Sequence, residues 1–415
     1  MSLPDCEGSE RPQTLLPHYG QAARGDNRWP RRDLECPIAR LLLSGNSVSL
    51  FGLRRIGKSS LLVGIEDLIR EAGAVPVTLE LQGANRIETL VGKLIQACDQ
   101  QGERSLADGI RGLYASAGLR MPAAVRAVYR LVTGGAGEST ESQASPGDVL
   151  DYLEVALGPL AERLQQSERK IVLILDELPF FCQDLHGQGG AEQRHVAAFL
   201  SELRRWRRDG LTMLVGGSVG VHRLERDLGI DPNLFGDLNH EQLPPLGAED
   251  ALALVAALAR GCAFAPWTDE HARGVLDAIP AAYPAFFHSI FLELQRAARG
   301  RHLTPKQAGN IAAEATEKLL QTNFFPQFDH RLAYYETTEA EVAMRLFRTL
   351  EPTDTAVCAA DLGREFPEDW PLVRKTGLLT ALKQDDFLQK LSGNRFAFAT
   401  PLVAAWWGER DALRG

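Results

Sequence analysis

The sequence predicts an α/β fold with a parallel β-sheet, followed by a bundle of helices and a small C-terminal domain of helices and a β-hairpin. The first observation is a βαβ pattern, in which strands at 47–51 and 75–81 flank an amphipathic helix at 58–72. The second is the apolar run at 171–175, which is typical of a strand buried on both faces of a parallel sheet. The third is the change at residue 247 to helical periodicity, which continues through successive segments joined by short loops.

Length and composition indicate a multidomain protein without a membrane segment. The chain has 415 residues, more than one compact core holds, and 45% of them are hydrophobic and 24% charged. No apolar run approaches the roughly 20 residues that cross a bilayer, and the N-terminus lacks the apolar segment of a signal peptide. We therefore expect a cytoplasmic protein without membrane contact, whose six scattered cysteines are reduced thiols. The net charge of -9 argues against non-specific attraction of the whole surface to nucleic acid.

The stretch after the first predicted strand matches a phosphate-binding loop. Gly52, Gly57, Lys58 and Ser59 fit the pattern G-x-x-x-x-G-K-[ST]. The glycines let backbone N–H groups surround the phosphates, and the helix that begins near Lys58 directs its positive dipole end at them. Lys58 adds a charge for the β- and γ-phosphates, and the Ser59 hydroxyl is placed to ligate Mg²⁺. The predicted nucleotide-binding residues are Gly52, Leu53, Arg54, Arg55, Ile56, Gly57, Lys58, Ser59 and Ser60.

Two carboxylates follow the buried strand at 171–175, at the sheet edge where ligands bind in parallel folds. Asp176 is predicted to hold the Mg²⁺ shell, and Glu177 to orient and deprotonate the attacking water. A later apolar strand, in LTMLVGGSV, ends at Ser218, which can reach a γ-phosphate or the lytic water from such a position. A plain turn serine is the alternative for Ser218. Together these residues predict hydrolysis of a nucleoside triphosphate.

Composition changes divide the chain into segments. The predicted segments are a flexible lead-in at 1–28, a core at 29–246 with a helical insert at about 82–147, a helical lid at 247–325 and a winged helix at 326–415. The winged helix rests on two alternating strands around Ser392-Gly393-Asn394, which follow several short helices. Trp29 to Arg32 either contact the adenine of a nucleotide or pack against the sheet edge, and the sequence leaves both alternatives open.

Taken together, the motifs resemble a family, the prokaryotic ATPases of the STAND and origin-recognition-like branch of the AAA+ proteins. The resemblance rests on FGLRRIGKSSLL, ILDELPFF, LVGGSVGVHRL, LPPLGAEDALALV, AAYPAFFHSI and RFAFATPLVAAWW, which are spread over roughly residues 29–410. It implies an AAA+-like P-loop NTPase core, Mg²⁺-dependent binding and hydrolysis of ATP, and a helical lid that senses the nucleotide. It also implies a C-terminal winged helix that contacts DNA or protein.

The sequence departs from this family at the arginines that would reach the γ-phosphate. Leu234-Phe235-Gly236-Asp237 stands where a Gly-Arg pair is expected before the last strand. The lid turn Tyr283-Pro284-Ala285-Phe286 has no basic residue beside it, and His288 is the nearest candidate for a basic sensor. Arg223 and Arg226 remain as candidates for an arginine finger, with a solvated surface charge as the alternative for each. The sequence therefore allows an oligomer without identifying an arginine that acts in trans.

Two functions compete on these observations. In the first, ATP closes the lid, moves the winged helix and changes the engagement of a separately encoded partner protein, and hydrolysis resets the switch. In the second, the chain is a DNA-binding AAA+ ATPase, an initiator or a regulator of transposition or defence, that acts on duplex DNA. Residues 331–415 hold eleven Lys and Arg against thirteen Asp and Glu, which favours a protein contact or intramolecular packing for the winged helix. The best basic cluster for DNA is Arg204, Arg205, Arg207 and Arg208, for which a solvated helix end is the alternative.

Overall fold

The structure, a computed structural model, describes residues 11–20, 22–84, 87–104, 107–110, 162–187, 193–218, 224, 229–350 and 356–412. These residues form two compact units. The sheet unit lies within residues 31–51 and 61–242, and the helical unit lies within residues 10–30, 52–60 and 243–415. Most of the predicted insert at 82–147 lies outside the described residues.

The sheet unit is built on a five-stranded parallel sheet with the order β2-β3-β4-β1-β5. Its strands are β1 (Val48–Phe51), β2 (Val75–Glu80), β3 (Ile171–Asp176), β4 (Thr212–Gly217) and β5 (Asn239–Glu241). β3 lies between β2 and β4 and its residues 171–175 are buried, which accounts for its unbroken apolar run. The last strand of this sheet begins at Asn239, whose N–H donates to the Ser47 carbonyl oxygen at 2.9 Å.

Helices of the sheet unit pack apolar side chains against this sheet. They are α1 (Arg32–Leu43), α2 (Lys58–Glu71), α3 (Ile87–Gln100), α4 (Leu178–Gly187) and α5 (Gln193–Arg208). Phe181 of α4 meets Phe199 of α5 edge to face, with ring centroids 5.2 Å apart, and Trp206 is buried in the same core. Burying each such side chain stabilises the fold by roughly 1.5–3 kcal/mol. This core therefore holds in place the carboxyl ends of β3 and β4, where predicted site residues lie.

The end of α5 carries a buried ion pair rather than a free cluster of arginines. Arg207 donates to both carboxylate oxygens of Asp237 at 2.8 Å and to the carbonyl oxygen of Leu234 at 2.5 Å. Burial by itself would raise the pKa of Asp237, but the hydrogen bond and charge of Arg207 outweigh it and lower this pKa. Only Arg205 and Arg208 of the four predicted cluster arginines are exposed. The predicted basic cluster is therefore wrong for Arg207, whose charge is used inside the fold.

Most cysteines with described side chains are reduced thiols, as expected, because Cys98, Cys182, Cys262 and Cys358 form no disulfide. Burial raises the pKa of the Cys182 thiol, and it raises the pKa of Cys262 to about 11, which keeps both thiols protonated and unreactive at neutral pH. Cys36 is disulfide-bonded, so the expectation of reduced thiols throughout is wrong for this residue.

The lid of the helical unit contains four successive helices, as the periodicity predicts. They are α6 (Ala248–Gly261), α7 (Asp269–Asp277), α8 (Pro284–Ala298) and α9 (Pro305–Leu319). Thr304 caps α9, because its hydroxyl accepts the Gln307 N–H while the Gln307 side chain accepts the Thr304 N–H. α7 and α9 approach closely where Gly274 meets Gly309, and a Cβ on Gly274 would lie 3.3 Å from the Gly309 Cα.

A π-helical turn, Leu320–Phe324, leads from α9 into the C-terminal part of the helical unit. Its elements are α10 (Phe325–Leu332), α11 (Thr337–Leu350), β6 (Val357–Cys358), α12 (Ala359–Gly363), α13 (Leu372–Gln384), β7 (Leu388–Leu391), β8 (Arg395–Phe398) and α14 (Pro401–Ala412). The three strands form an antiparallel sheet in the order β6-β8-β7. Gly393 and Asn394 have left-handed φ values of 71° and 57° and form the predicted hairpin turn. The order of these helices and strands is that of a winged helix.

Residues 11–28, which the sequence predicted to be a flexible lead-in, make specific contacts in the helical unit. The Leu15 N–H donates to the Ala257 carbonyl oxygen at 3.1 Å, and a Cβ on Gly261 would lie only 1.9 Å from the Leu15 carbonyl oxygen. Arg11 pairs with Asp250 at 2.6 Å, and Trp29 is buried in the lid core. The lid therefore holds this segment through apolar and backbone contacts that its polar composition did not indicate. Trp29 packs in the lid core, so it does not pack against the sheet edge.

Candidate functional site

Residues 52–57 connect β1 to α2, and their backbone is shaped to bind an anion. Arg55 and Gly57 have left-handed φ values of 69° and 108°, and turns of this kind direct successive N–H groups into one concavity. Leu53 and Ile56 are buried. These two side chains therefore hold the loop in place, and only the backbone of Leu53 and Ile56 can contact a bound anion.

Lys58 is the first residue of α2, and its side chain closes the loop. It is 7% exposed, and its ammonium donates to the carbonyl oxygens of Gly52 at 2.9 Å and Leu53 at 2.6 Å. A cation, a helix N-terminus and an N–H-lined concavity at one place fit the phosphates of a nucleotide. Ser59 is exposed at the same turn. The Ser60 hydroxyl accepts the Ala23 N–H at 3.0 Å, so this predicted nucleotide-binding residue is engaged by the N-terminal segment.

Three residues that the sequence analysis missed contact the arginines of the loop. The Arg54 N–H donates to the Gln327 side-chain oxygen at 2.8 Å. The Arg55 guanidinium donates to the Tyr19 hydroxyl at 2.5 Å and to the Asn323 side chain, and it lies 4.9 Å from the centroid of the Tyr19 ring. These partners are far from the loop in sequence and belong to no motif, so no pattern in the sequence could identify them.

The predicted carboxylates lie at the carboxyl end of β3. Asp176 is the last residue of the strand, and one of its oxygens accepts the Glu177 N–H at 3.0 Å. Glu177 follows with a left-handed φ of 60°, which turns its side chain out of the alternation of the strand. Ser218 follows β4, and its N–H and hydroxyl both donate to one Glu177 carboxylate oxygen, at 2.9 and 3.1 Å. The structure thus brings Glu177 and Ser218 together and leaves Ser218 orienting the carboxylate.

The glycines at the end of β4 make room for these carboxylates. A Cβ on Gly216 would lie 3.1 Å from an Asp176 carboxylate oxygen. A Cβ on Gly217 would lie 2.8 Å from the Pro179 Cδ and 3.5 Å from a Glu177 carboxylate oxygen. Larger residues at positions 216 and 217 would therefore displace the acidic pair, which explains why two glycines precede Ser218 at this strand end.

The remaining predicted site residues differ in outcome. Arg223 and Arg226 lie outside the described residues. His288 is buried on α8, and its Nδ1 accepts the His18 N–H at 3.3 Å, with the two rings 4.2 Å apart. Burial, with a smaller effect from the charge of His18, lowers the pKa of His288 to about 3. His288 is therefore neutral at physiological pH and is wrong as a basic sensor of phosphate.

Comparisons with known proteins find similarity in structure but not in sequence. No protein-family model matches the chain, and no curated protein matches it. A Walker-type ATPase of Pyrococcus abyssi superposes over 95% of this chain and 99% of its own, with a TM-score of 0.53 at 16% identity. The ORC2 protein of Aeropyrum pernix, solved in ADPNP and ADP complexes, superposes over 97% of both chains, with a TM-score of 0.52 at 14% identity.

These likenesses agree with the topology of the chain itself. The parallel sheet, the phosphate loop after β1 and the acidic pair after β3 occur in the order that the sequence predicted. Among the described helices, none combines the length and the apolar character required to cross a membrane. The prediction of fold class is confirmed: the chain has an α/β fold with a parallel sheet, which it shares with these two solved proteins.

Proposed function

We propose that this protein is a Mg²⁺-dependent, ATP-binding and ATP-hydrolysing switch that couples its nucleotide state to engagement of a partner protein. The observation that carries the proposal is the pair of motifs at the carboxyl ends of β1 and β3. The first is a loop with left-handed turns and a buried lysine. The second is a glutamate held by two donations from Ser218. We also propose that the chain is an origin-recognition-like ATPase of the STAND branch, which its fold and its sequence motifs support.

The residues present fit ATP and Mg²⁺. Backbone N–H groups of residues 52–60 and the Lys58 ammonium would hold the phosphates. The Ser59 hydroxyl and the Asp176 carboxylate each have the oxygen chemistry of a Mg²⁺ ligand. Bound Mg²⁺ would neutralise charge on the phosphates during transfer. Glu177 acts as the base that takes a proton from water, and Ser218 fixes the carboxylate for that task. Arg223 and Arg226 stay as candidates for an arginine that contacts the terminal phosphate, within one chain or in an oligomer.

The surface of α13 supports a protein partner. Leu372 and Val373 are 75% and 76% exposed at its N-terminal end. Thr376 and Thr380 are also exposed, and their four-residue spacing continues the face from Leu372. Arg374 does not join this face in a free state, because its guanidinium lies 4.1 Å from the Trp370 ring centroid and pairs with Glu336 at 3.0 Å.

An uncharged face with exposed aliphatic side chains suits apolar side chains of another protein better than phosphates. The exposed Glu368 and Asp369 precede this end of α13, and their charge would repel a DNA backbone. We therefore infer a partner segment that is apolar at its centre and basic at its edge, carried by a separately encoded protein in the same compartment, which we expect to be the cytoplasm.

Nucleotide titration of the Lys58→Ala variant tests the ATP site. We expect the variant to lose roughly 1.5–3 kcal/mol of ATP binding energy, because a charge-assisted contact to the phosphates is removed. Isothermal calorimetry with Mg²⁺ and ATP measures this loss. Lys306→Ala, at an exposed lysine of α9, is the matched control and should bind as the native protein does. Equal affinity of the Lys58 variant and the control would refute the nucleotide site.

DNA binding is the alternative function, and one observation favours it. Lys383, Lys390 and Arg395 are exposed on α13 and the hairpin of the winged helix. We expect only weak binding, with a dissociation constant of about 10⁻⁴–10⁻⁶ M at physiological salt, which is the range of non-specific association. Fluorescence anisotropy of a labelled duplex across a salt series measures it, with the triple alanine variant of these residues and an Arg205→Ala, Arg208→Ala variant beside it. Tighter binding that the triple variant alone loses would make DNA the partner.

A further inference from the structure

One short helix, α10, contacts the phosphate loop at its beginning. The Gln327 side-chain oxygen accepts the Arg54 N–H at 2.8 Å, and the Gln327 side-chain nitrogen donates to the Asn323 carbonyl oxygen at 2.6 Å. Asn323, in the π-helical turn just before α10, accepts from the Arg55 guanidinium. Two successive residues of the loop are therefore held by α10 and the π-helical turn that leads into it, and such turns are frequent at functional sites.

The same helix is built into the core of the winged helix. Phe328 is fully buried, and its ring centroid lies 5.5 Å from that of Trp406 on α14 and 5.9 Å from that of Phe387. Asp329 accepts the Trp406 indole N–H at 3.3 Å and pairs with Arg410.

The far end of α10 is fixed in the same way. The buried Arg331 donates to the Asp385 carbonyl oxygen at 2.6 Å and pairs with Asp386 at 3.0 Å. Since residues 327 and 331 are one turn apart, about 6 Å along the helix, a displacement of the Gln327 backbone moves α10 as a whole. The aromatic and ionic contacts of α10 carry such a movement into the winged helix.

The Arg54 N–H is the backbone group of the loop that donates to Gln327 of α10. Backbone N–H groups of a phosphate loop donate to phosphate oxygens when nucleotide is bound. In this structure the Arg54 N–H donates to a neutral amide oxygen instead, which is the weaker of the two acceptors. One N–H in this geometry serves one strong acceptor, so the two acceptors exclude each other.

We propose that Gln327 is a nucleotide-sensing residue that competes with the phosphates for the Arg54 N–H, so that nucleotide binding releases α10 and the winged helix from the phosphate loop. This inference rests on the proposed ATP site and names the residue that connects it to the C-terminal domain. The competition predicts opposite effects of two substitutions on nucleotide affinity. Removing Gln327 frees the N–H and strengthens nucleotide binding, whereas a carboxylate at this position holds the N–H more firmly and repels the phosphates.

Binding of a non-hydrolysable ATP analogue to Gln327→Ala and Gln327→Glu tests the direction of each change in affinity. We expect Gln327→Ala to bind about two- to tenfold more tightly than the native protein, which corresponds to one neutral hydrogen bond. We expect Gln327→Glu to bind at least tenfold more weakly. Gln384→Ala, at the exposed end of α13, is the control and should match the native protein. Weaker binding by Gln327→Ala would show that Gln327 is a ligand of the nucleotide, and equal binding would show no role; either result overturns the proposal.

Hydrogen exchange provides a readout that does not depend on affinity. In the native protein we expect the amides of residues 325–332 to exchange faster when the analogue is bound, because α10 loses its contact with the loop. In Gln327→Ala they should exchange at the faster rate with and without the analogue. Unchanged protection in the native protein at saturating analogue would overturn the inference while leaving the ATP site intact. Failure of the native protein to bind the analogue would instead refute the proposed function itself.

Discussion

Glu177→Gln is expected to bind ATP as the native protein does and to hydrolyse it about 10²–10⁴-fold more slowly, which is the usual contribution of a positioned general base. The amide has the size of the carboxylate and its oxygen still accepts from Ser218, whose N–H and hydroxyl donate to the native Glu177 at 2.9 and 3.1 Å. The amide cannot take a proton from water. The steady-state rate at saturating ATP, together with calorimetric titration, separates loss of turnover from loss of binding.

The control for this variant lies at the opposite end of the same strand. Glu168→Gln changes an exposed glutamate just before β3 begins at Ile171, and it should hydrolyse ATP at the native rate. Ser218→Ala should fall between the two, since it removes the hydroxyl donor and keeps the backbone donor. If Glu177→Gln turned over like Glu168→Gln, the base would have to be another residue, and the role of the β3 carboxylates would be limited to the metal.

Arg207→Ala is expected to lower the free energy of unfolding of the sheet unit by about 3 kcal/mol, at the low end for a broken buried ion pair. The Arg207 side chain is buried, with two bonds to Asp237 at 2.8 Å and a third to the Leu234 carbonyl oxygen. The Asp237 side chain is 33% exposed, so water can partly solvate it in the variant, which is why we choose the low end. Hydrogen exchange of peptides from α5 measures the change in this unit alone.

The neighbouring arginine gives a matched control for Arg207. Arg208 is exposed at the same helix end, and surface substitutions of this kind change stability by about 0.5 kcal/mol or less. A loss in Arg208→Ala equal to that in Arg207→Ala would mean that helix propensity or net charge, rather than the buried pair, accounts for the effect. The pair of variants also tells whether any DNA affinity of this helix end depends on exposed charge or on the integrity of the fold.

The sequence could predict those parts of the fold that depend on local pattern. Strand β3 follows from its unbroken apolar run, and the hairpin follows from Ser392-Gly393-Asn394, because periodicity and turn chemistry are properties of neighbouring residues. The loop at 52–59 and the acids at the end of β3 belong to motifs with fixed spacing. Each motif directly follows a predicted strand in the sequence, so its position at the carboxyl end of that strand could also be predicted.

Contacts between distant residues could not be predicted in the same way. Gln327 meets the Arg54 backbone across 273 positions, and Arg207 meets Asp237 across 30. Both contacts depend on tertiary packing, which a single sequence does not encode as a pattern. His288 was misjudged for a related reason, since its charge is decided by burial and by His18, and neither is visible in the residues next to it.

The contacts of residues 11–28 also have a consequence for any shortened form of the protein. Composition alone recommends trimming this segment before crystallisation or assay. Trimming would uncover the apolar surface of α6 under Leu15 and would remove the hydroxyl and aromatic ring that Tyr19 places against Arg55. It would also leave the Ser60 hydroxyl without the Ala23 N–H. A trimmed protein would therefore associate through a newly exposed apolar patch, and an affinity for ATP measured on it would describe a loop with different neighbours.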